Sequence, residues 1–200
     1  KSIRAVEIPL VQRDYAQGRA ADKVRDIRLT FLHAIREAVV ADQHLSLDFV
    51  YGGVTDGVLR PLDGQQRLTT LFLLHWYLAN RSGHADPTAS WGNFSYDTRP
   101  SARRFCDLLM TSPPPQDEDW ARISEWLADQ PWYLYVWEQD PTIASMLVML
   151  DAIHDVFGDV DAELAWTRLT DSTQPVISFF VLPIEEVGAG DELYIKMNSR

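Results

Sequence analysis

The sequence has 200 residues, 46% of them hydrophobic, so it can bury a substantial core and is most simply a single domain. Its 18 basic and 29 acidic residues give a net charge of −11, which disfavours extensive DNA binding by the chain alone, because acidic surfaces repel the phosphate backbone. The single cysteine, Cys106, excludes an internal disulfide and a multi-cysteine metal site. No run of roughly 18 apolar residues is present, so we expect no membrane span and a cytoplasmic protein.

Charge is distributed unevenly along the chain. Residues 1–81 carry 11 basic and 9 acidic side chains, a net charge of +2. Residues 82–200 carry the remaining 7 basic and 20 acidic side chains, a net charge of −13. A small phosphate ligand is therefore compatible with the N-terminal part of the chain.

The N-terminal part predicts a strand, a helix and a hairpin. Residues 3–10 show partial alternation of apolar side chains, which favours a strand. In residues 22–40 the apolar side chains recur at three- and four-residue steps, which is typical of an amphipathic helix. Two apolar runs at 47–54 and 58–62 flank Thr55-Asp56-Gly57, and this pattern predicts a hairpin.

The run DGQQR, residues 63–67, follows the hairpin and opens a long apolar helix that we expect to extend to about residue 81. Gly64 permits a sharp turn with positive φ, which places Gln65, Gln66 and Arg67 on the first helical turn. Unpaired N–H groups and the positive end of the helix dipole meet there, and arginine adds a planar fork of donors, so this turn is a candidate anion site. The alternative is capping by Asp63, with Arg67 paired to a carboxylate such as Asp63.

The rest of the chain is predicted to be mainly helical. Residues 82–100 contain two glycines and two prolines and are expected to be irregular. The apolar run at 175–183 is typical of a buried strand. Ser101 is expected to cap the first helix of this part. Helices are predicted at 101–110, 117–129, 141–157, 162–169 and 191–197.

Other catalytic motifs are absent from the sequence. It contains no Gly-Lys-Ser/Thr phosphate loop, no His-Glu-x-x-His and no Gly-x-Ser-x-Gly, so ordinary P-loop, zincin and serine-hydrolase functions are disfavoured. His75 lies on the long apolar helix, near its buried stripe. A hydrogen-bonded core histidine is the favoured interpretation there, over a catalytic or ligand-binding one.

Several motifs together resemble a known family. The runs IPLVQRDY at 8–15, DGQQRLTTL at 63–71 and LYIKMNSR at 193–200 resemble the N-terminal domain family of GmrSD-type modification-dependent restriction enzymes. SYDTRPSARRF at 95–105 and DPTIASMLVMLDAIH at 140–154 extend the match, so the resemblance covers nearly the whole chain.

The resemblance implies an α+β fold distantly related to ParB and sulfiredoxin, with a small mixed sheet and packed helices. Strands from 3–10, 47–62 and 176–184 are expected to form this sheet. Residues 1–81 and 175–200 would form the α/β core of one domain, and residues 82–174 a mainly helical insertion.

The resemblance also implies a nucleotide-binding, NTP-hydrolysing sensor domain of an antiphage restriction system, with a nucleoside triphosphate and Mg²⁺ as its ligands. Asp63, Gln66 and Arg67 would be its catalytic residues, and Gln12 and Arg13 are expected to lie beside them. The nucleotide-binding residues would be Gln12, Arg13, Tyr15, Gly64, Gln65, Asn198 and Arg200.

Two other functions remain open from the sequence. One is a non-catalytic reader of modified DNA that relays binding to a separate nuclease, and the other is an interaction module in which the DGQQR turn is structural. No nuclease motif is visible, so we expect DNA to be engaged through the full-length protein or a partner nuclease domain. The chain stops inside a segment that resembles the family's Asn-x-Arg-Gly motif, and we expect it to be a piece of a longer protein.

Overall fold

The computed structural model describes residues 3–9, 17, 22–115 and 121–183, and within these ranges the chain has the predicted α+β fold class. The strands are β1 (Ala5–Ile8), β2 (Leu45–Thr55), β3 (Val58–Pro61), β4 (Phe94–Tyr96) and β5 (Ile177–Pro183). The helices are α1 (Asp22–Ala41), α2 (Gln65–Arg81), α3 (Pro100–Thr111), α4 (Ile123–Ala128), α5 (Pro141–Phe157) and α6 (Ala162–Thr170).

The five strands form one mixed sheet with the order β4-β1-β3-β2-β5. β2 and β3 form the predicted antiparallel hairpin, with Val54 opposite Leu59. The other neighbouring strands pair in parallel: β1 pairs with β3 and β4, and β5 pairs with β2. The expectation that the three predicted strand regions would share one small mixed sheet is confirmed.

Two expectations about strands are wrong. Residues 82–100 are not wholly irregular, because Phe94–Tyr96 forms β4, a strand too short to produce a readable alternation in the sequence. β5 is in the sheet as predicted, but it is not buried: it is the last strand of the described sheet, where Phe180 is 61% exposed and Leu182 is 40% exposed. An uninterrupted apolar run does not distinguish an edge strand from a central one, so the sequence could not place β5.

The long periodic helices α1, α2, α5 and α6 are confirmed, but helix starts in the second half of the chain differ from expectation. α3 begins at Pro100, and its N-cap residue, Arg99, makes no side-chain cap bond. The Ser101 hydroxyl instead donates to Asp140, whose carboxylate caps α5 by accepting from the Thr142 N–H at 2.9 Å. Ser101 therefore connects two helices and does not cap its own.

The predicted helix at 117–129 is only partly present. α4 covers Ile123–Ala128, and Arg122, its N-cap residue, has extended backbone dihedrals, so the predicted start is too early. Residues 117–120 lie outside the described part of the chain, as does the helix predicted at 191–197.

α2 is the centre of the core. Its buried side chains include Leu73, Leu74 and Trp76, and they belong to one continuous hydrophobic cluster with residues of the sheet, α3 and α5. Segment 82–174 therefore shares its core with the sheet, and it also supplies β4. No helix in the described ranges has both the length and the hydropathy needed to cross a bilayer.

The turn from β3 into α2 is seated directly on β2. The N–H groups of Leu62 and Asp63 both donate to the Tyr51 carbonyl, at 2.6 and 3.2 Å. Gly64 follows in the left-handed region, with φ of 91°, as expected from the sequence. A Cβ at this position would lie 2.9 Å from a methyl carbon of Val50, so both the conformation and the space require glycine.

We predict that Gly64→Ala lowers the free energy of unfolding by about 1–3 kcal/mol, since alanine is disfavoured at positive φ and its methyl group meets Val50. Gly53→Ala is the matched control, because a Cβ there has no heavy atom within 4 Å. Urea unfolding of both variants measures the difference. Equal stability of the two variants would contradict this description of the turn.

Candidate functional site

The DGQQR turn, residues 63–67, forms the N-terminus of α2, and the N-cap residue there makes no side-chain cap bond. Gly64 is the N-cap residue, and its carbonyl accepts the first intrahelical bond from the Leu68 N–H at 3.0 Å. The capping role considered for Asp63 is not observed, because the N-cap is Gly64 and the Asp63 side chain is 56% exposed. The N-cap residue therefore supplies no carboxylate or hydroxyl to the first-turn N–H groups, which lie at the positive end of the dipole of this 17-residue helix.

Arg67 reaches back from the first turn of α2 to the backbone of β2. Its guanidinium donates to the Leu47 carbonyl and, at 2.8 Å, to the Phe49 carbonyl. Between them, Asp48 has a φ of 61°, and the pairing of β2 with β5 shifts register there. Arg67 therefore supplies hydrogen-bond donors at an irregularity in β2 where the ladder is interrupted.

The Asp63 carboxylate is a secondary partner of Arg67, at 3.8 Å from the nearer guanidinium nitrogen. The sequence indicated a phosphate or this carboxylate as the partner of Arg67, and the two carbonyls are contacts that it did not indicate. A guanidinium has five N–H donors, and the two carbonyl contacts engage only part of them. The guanidinium of Arg67 is therefore held in a fixed place, and its side chain is 23% exposed. It keeps N–H donors for a further acceptor.

Gln17 lies against the same end of α2, although 49 residues separate it from its partner Gln66. The Gln17 N–H donates to the Gln66 side-chain oxygen at 3.2 Å, and Thr70 donates to the Gln17 side-chain oxygen at 2.7 Å. Arg28 of α1 donates to the Gln17 carbonyl at 2.8 Å. These contacts hold Gln17 to α1 and to the first two turns of α2.

Gln65 has a buried side-chain oxygen that finds no hydrogen-bond partner among the described residues. Buried polar atoms are nearly always paired, because leaving one unsatisfied costs about 1–3 kcal/mol. A primary amide presents either its oxygen or, after a half-turn, its NH₂ group, so this side chain can meet a donor or an acceptor.

Five of the predicted site residues are consecutive in the chain and lie at the start of α2, namely Asp63, Gly64, Gln65, Gln66 and Arg67. The other predicted residues lie outside the described part of the chain, so their place beside the turn stays a prediction; they are Gln12, Arg13, Tyr15, Asn198 and Arg200. Sequence reasoning missed Gln17, Val50 and the β2 carbonyls. Nothing in the local sequence marks them, because their role comes from contacts between distant segments.

The described residues contain no group of three or more His, Cys, Asp or Glu side chains placed to hold a metal ion. A model of the GmrSD restriction endonuclease N-terminal domain family matches residues 1–200. A search of curated proteins and a search of solved structures found no match. The family match covers the whole DGQQR turn and the predicted site residues on both sides of it.

We predict that Arg67→Ala lowers the free energy of unfolding by about 1–3 kcal/mol, because two backbone carbonyls lose charge-assisted donors. Arg67→Lys should restore only part of the loss, since one ammonium group does not reproduce the guanidinium fork.

Arg60→Ala is the control for the charge change. Arg60 is 45% exposed and pairs with Glu7 at 2.8 Å, so its removal should cost less than about 1 kcal/mol. Chemical denaturation of the three variants provides the comparison. If Arg67→Ala lowers the free energy of unfolding no more than Arg60→Ala does, the contact of Arg67 with β2 does not stabilise the fold.

Proposed function

The chain belongs to the GmrSD restriction endonuclease N-terminal domain family and is thus a restriction-system component, and we propose that its DGQQR turn binds and hydrolyses a nucleoside triphosphate. The observation that carries the proposal is the N-terminus of α2, which begins at a glycine without a capping side chain, beside the fixed Arg67 guanidinium. Backbone N–H groups, a positive dipole end and a planar cation are the groups that bind phosphate in proteins.

Phosphate binding would use neutral and charged donors together. The first-turn N–H groups of α2 lie at the positive end of its dipole. Gln65 and Gln66 add side-chain amides, and the buried oxygen of Gln65 indicates that this amide has a partner still to be found. Gln66 is oriented by its contact with Gln17. We propose that these groups hold the β- and γ-phosphates.

Arg67 would stabilise the charge that develops during hydrolysis. A water oxygen forms a bond to the γ-phosphorus while the bond from that phosphorus to the β–γ bridging oxygen breaks, and negative charge builds on the leaving oxygen. A cation whose position is already set by two carbonyls does not need to reorganise in the transition state. Asp63 is exposed beside it and can accept a hydrogen bond from the attacking water.

The residues of the DGQQR turn fit a Mg²⁺ ion that arrives with the triphosphate. Mg²⁺ is usually bound by one or two carboxylates together with substrate phosphates and waters, and it does not need a cluster of protein ligands. Asp63 is the carboxylate of this turn, and it is 56% exposed. Bound Mg²⁺ would neutralise part of the phosphate charge.

DNA would be contacted outside this site. The net charge of −11 disfavours a phosphate-backbone interface on the chain by itself. We therefore propose that other parts of the full-length protein, or a partner nuclease domain, engage DNA, and that the nucleotide state of the DGQQR turn is relayed to them.

Titration of the chain with each of the four common nucleoside triphosphates and Mg²⁺, following heat and phosphate release, tests binding and hydrolysis together. Gln65→Ala and Gln66→Ala should each weaken triphosphate binding by roughly 5- to 10-fold, the effect of one lost hydrogen bond. Gln43→Ala, at an exposed position after α1, should bind like the wild type. The absence of binding for all four triphosphates would overturn the proposal.

Asp63→Asn separates binding from hydrolysis. The substitution keeps the size of the side chain and removes its charge, so phosphate release should fall by at least about tenfold, while triphosphate affinity measured without Mg²⁺ changes much less. Single-turnover phosphate release at saturating nucleotide gives the rate directly. An unchanged rate would remove Asp63 from the chemical step and leave the binding proposal in place.

A further inference from the structure

Three consecutive apolar residues are exposed just before α5. Leu134, Tyr135 and Val136 are 45%, 77% and 68% exposed, and we call them the 134–136 patch. Tyr135 and Val136 belong to a short 3-10 helix, Tyr135–Gln139, that precedes α5. Single exposed apolar residues are common on protein surfaces, but an exposed run of three is unfavourable unless a partner covers it.

The residue that follows the patch, Trp137, holds it in place. Trp137 is 2% exposed, and its ring packs edge-to-face with Tyr133 and with Phe105 of α3, with ring centres 5.6 and 5.8 Å apart. Its N–H donates to the Leu134 carbonyl at 2.8 Å, and its carbonyl accepts from the Asp140 N–H at 3.0 Å. The exposed side chains are therefore presented on a fixed backbone, so docking requires little ordering of this turn.

The backbone of the 134–136 patch disfavours docking by strand addition. A partner strand needs a row of N–H and C=O groups along an extended edge. Residues 135–139 are helical, and the Leu134 carbonyl is already bonded within the turn. The patch therefore offers side chains to a partner. An amphipathic helix can cover them with its apolar stripe, which needs no backbone contact.

The charge around the patch specifies the polar part of the partner. Residues 123–167, which contain the patch, have nine acidic side chains and no Lys or Arg. Asp129 and Glu138 are exposed on either side of it in the chain. Burial raises the pKa of Tyr133, and the charges of Glu138 and Asp140 raise it further. An acidic border of this kind attracts Lys and Arg side chains.

The same acidic border disfavours two other ways of covering the patch. In a symmetric dimer the patches of two copies would meet, and each copy would bring a segment that carries only acidic charges. Like charges brought together at an interface oppose association. An anionic lipid surface would be repelled for the same reason. A basic protein segment has the charge that fits.

We propose that the 134–136 patch is the docking site for a basic amphipathic helix of a partner protein. The apolar stripe of that helix covers Leu134, Tyr135 and Val136, and Lys or Arg side chains beside the stripe pair with the acidic border, which includes Glu138. Tyrosine is among the residue types that contribute most to protein interfaces. The inference goes beyond the triphosphate site and does not depend on it, because the patch contains no residue of the DGQQR turn.

A synthetic amphipathic helix of about five turns, with a leucine stripe and flanking lysines, is the probe. The matched control peptide has glutamate at every lysine position. By calorimetry on the full chain at about 0.15 M salt, we expect the lysine peptide to bind at least about tenfold more tightly than the glutamate peptide. Equal affinity of the two peptides, or no binding by the lysine peptide, would overturn the proposal.

A double substitution localises the bound peptide. Tyr135→Ser with Val136→Ser removes the two most exposed side chains of the patch and should weaken binding of the lysine peptide by at least about tenfold. Ile27→Ser with Val40→Ser is the matched control, because these α1 side chains are also exposed, by 51% and 46%. Thermal melting verifies that each variant is folded. Equal affinity of the two double variants would place the peptide elsewhere and contradict the inference.

Glu138→Gln tests the acidic border of the patch. The substitution keeps the size of the side chain and removes its charge, so binding of the lysine peptide should weaken by roughly two- to fivefold. Glu37→Gln, at an exposed position of α1, makes the same change away from the patch and should bind like the wild type. An equal loss in the two variants would mean that the peptide responds only to net charge, which would overturn the proposal.

Sedimentation of the chain tests the other two ways of covering the patch. The chain alone should sediment as a monomer, and it should not sediment with phosphatidylserine vesicles. A dimer that the double substitution at Tyr135 and Val136 dissociates would show that a second copy covers the patch. Vesicle binding that the same substitution abolishes would show that a lipid surface does. Either result would overturn the proposal.

Discussion

The contact between Arg67 and the backbone of β2 determines where the N-terminus of α2 lies. Two carbonyls of one strand are held by one guanidinium, at a position where the pairing of that strand is irregular. Gly64 reinforces the contact by allowing the helix to begin against Val50, where any side chain on the helix start would clash. Because α2 is also the centre of the core, this attachment couples the geometry of the candidate phosphate site to the stability of the whole fold.

Arg67 therefore has two roles, one in stabilising the fold and one in the candidate phosphate site. In many phosphate sites an arginine is free to move onto its ligand, and its loss affects binding more than folding. Here the guanidinium is already part of the protein's internal hydrogen bonding, so its charge is preorganised before any ligand arrives. The N-cap residue of the same helix is a glycine, which has no capping side chain of its own.

Local sequence patterns predicted the elements whose signals are long or contiguous. Periodicity over many residues identified α1, α2 and α5, and a turn between two apolar runs identified the β2–β3 hairpin. β4 was missed because it has only three residues. β5 was predicted as a strand, but its composition wrongly indicated that it would be buried. The DGQQR turn was found because its residues are adjacent in the chain. Gln17 could not be found this way, because its partners come from two separate helices.

A crystal structure of the chain with a non-hydrolysable nucleoside triphosphate and Mg²⁺ tests the central claim most directly. Our account predicts phosphate oxygens within about 3 Å of the first-turn N–H groups of α2, with the guanidinium of Arg67 still in contact with β2. The side-chain amide of Gln65 should have gained a partner. Phosphates bound elsewhere on the protein, with the first turn of α2 facing only solvent, would contradict the account.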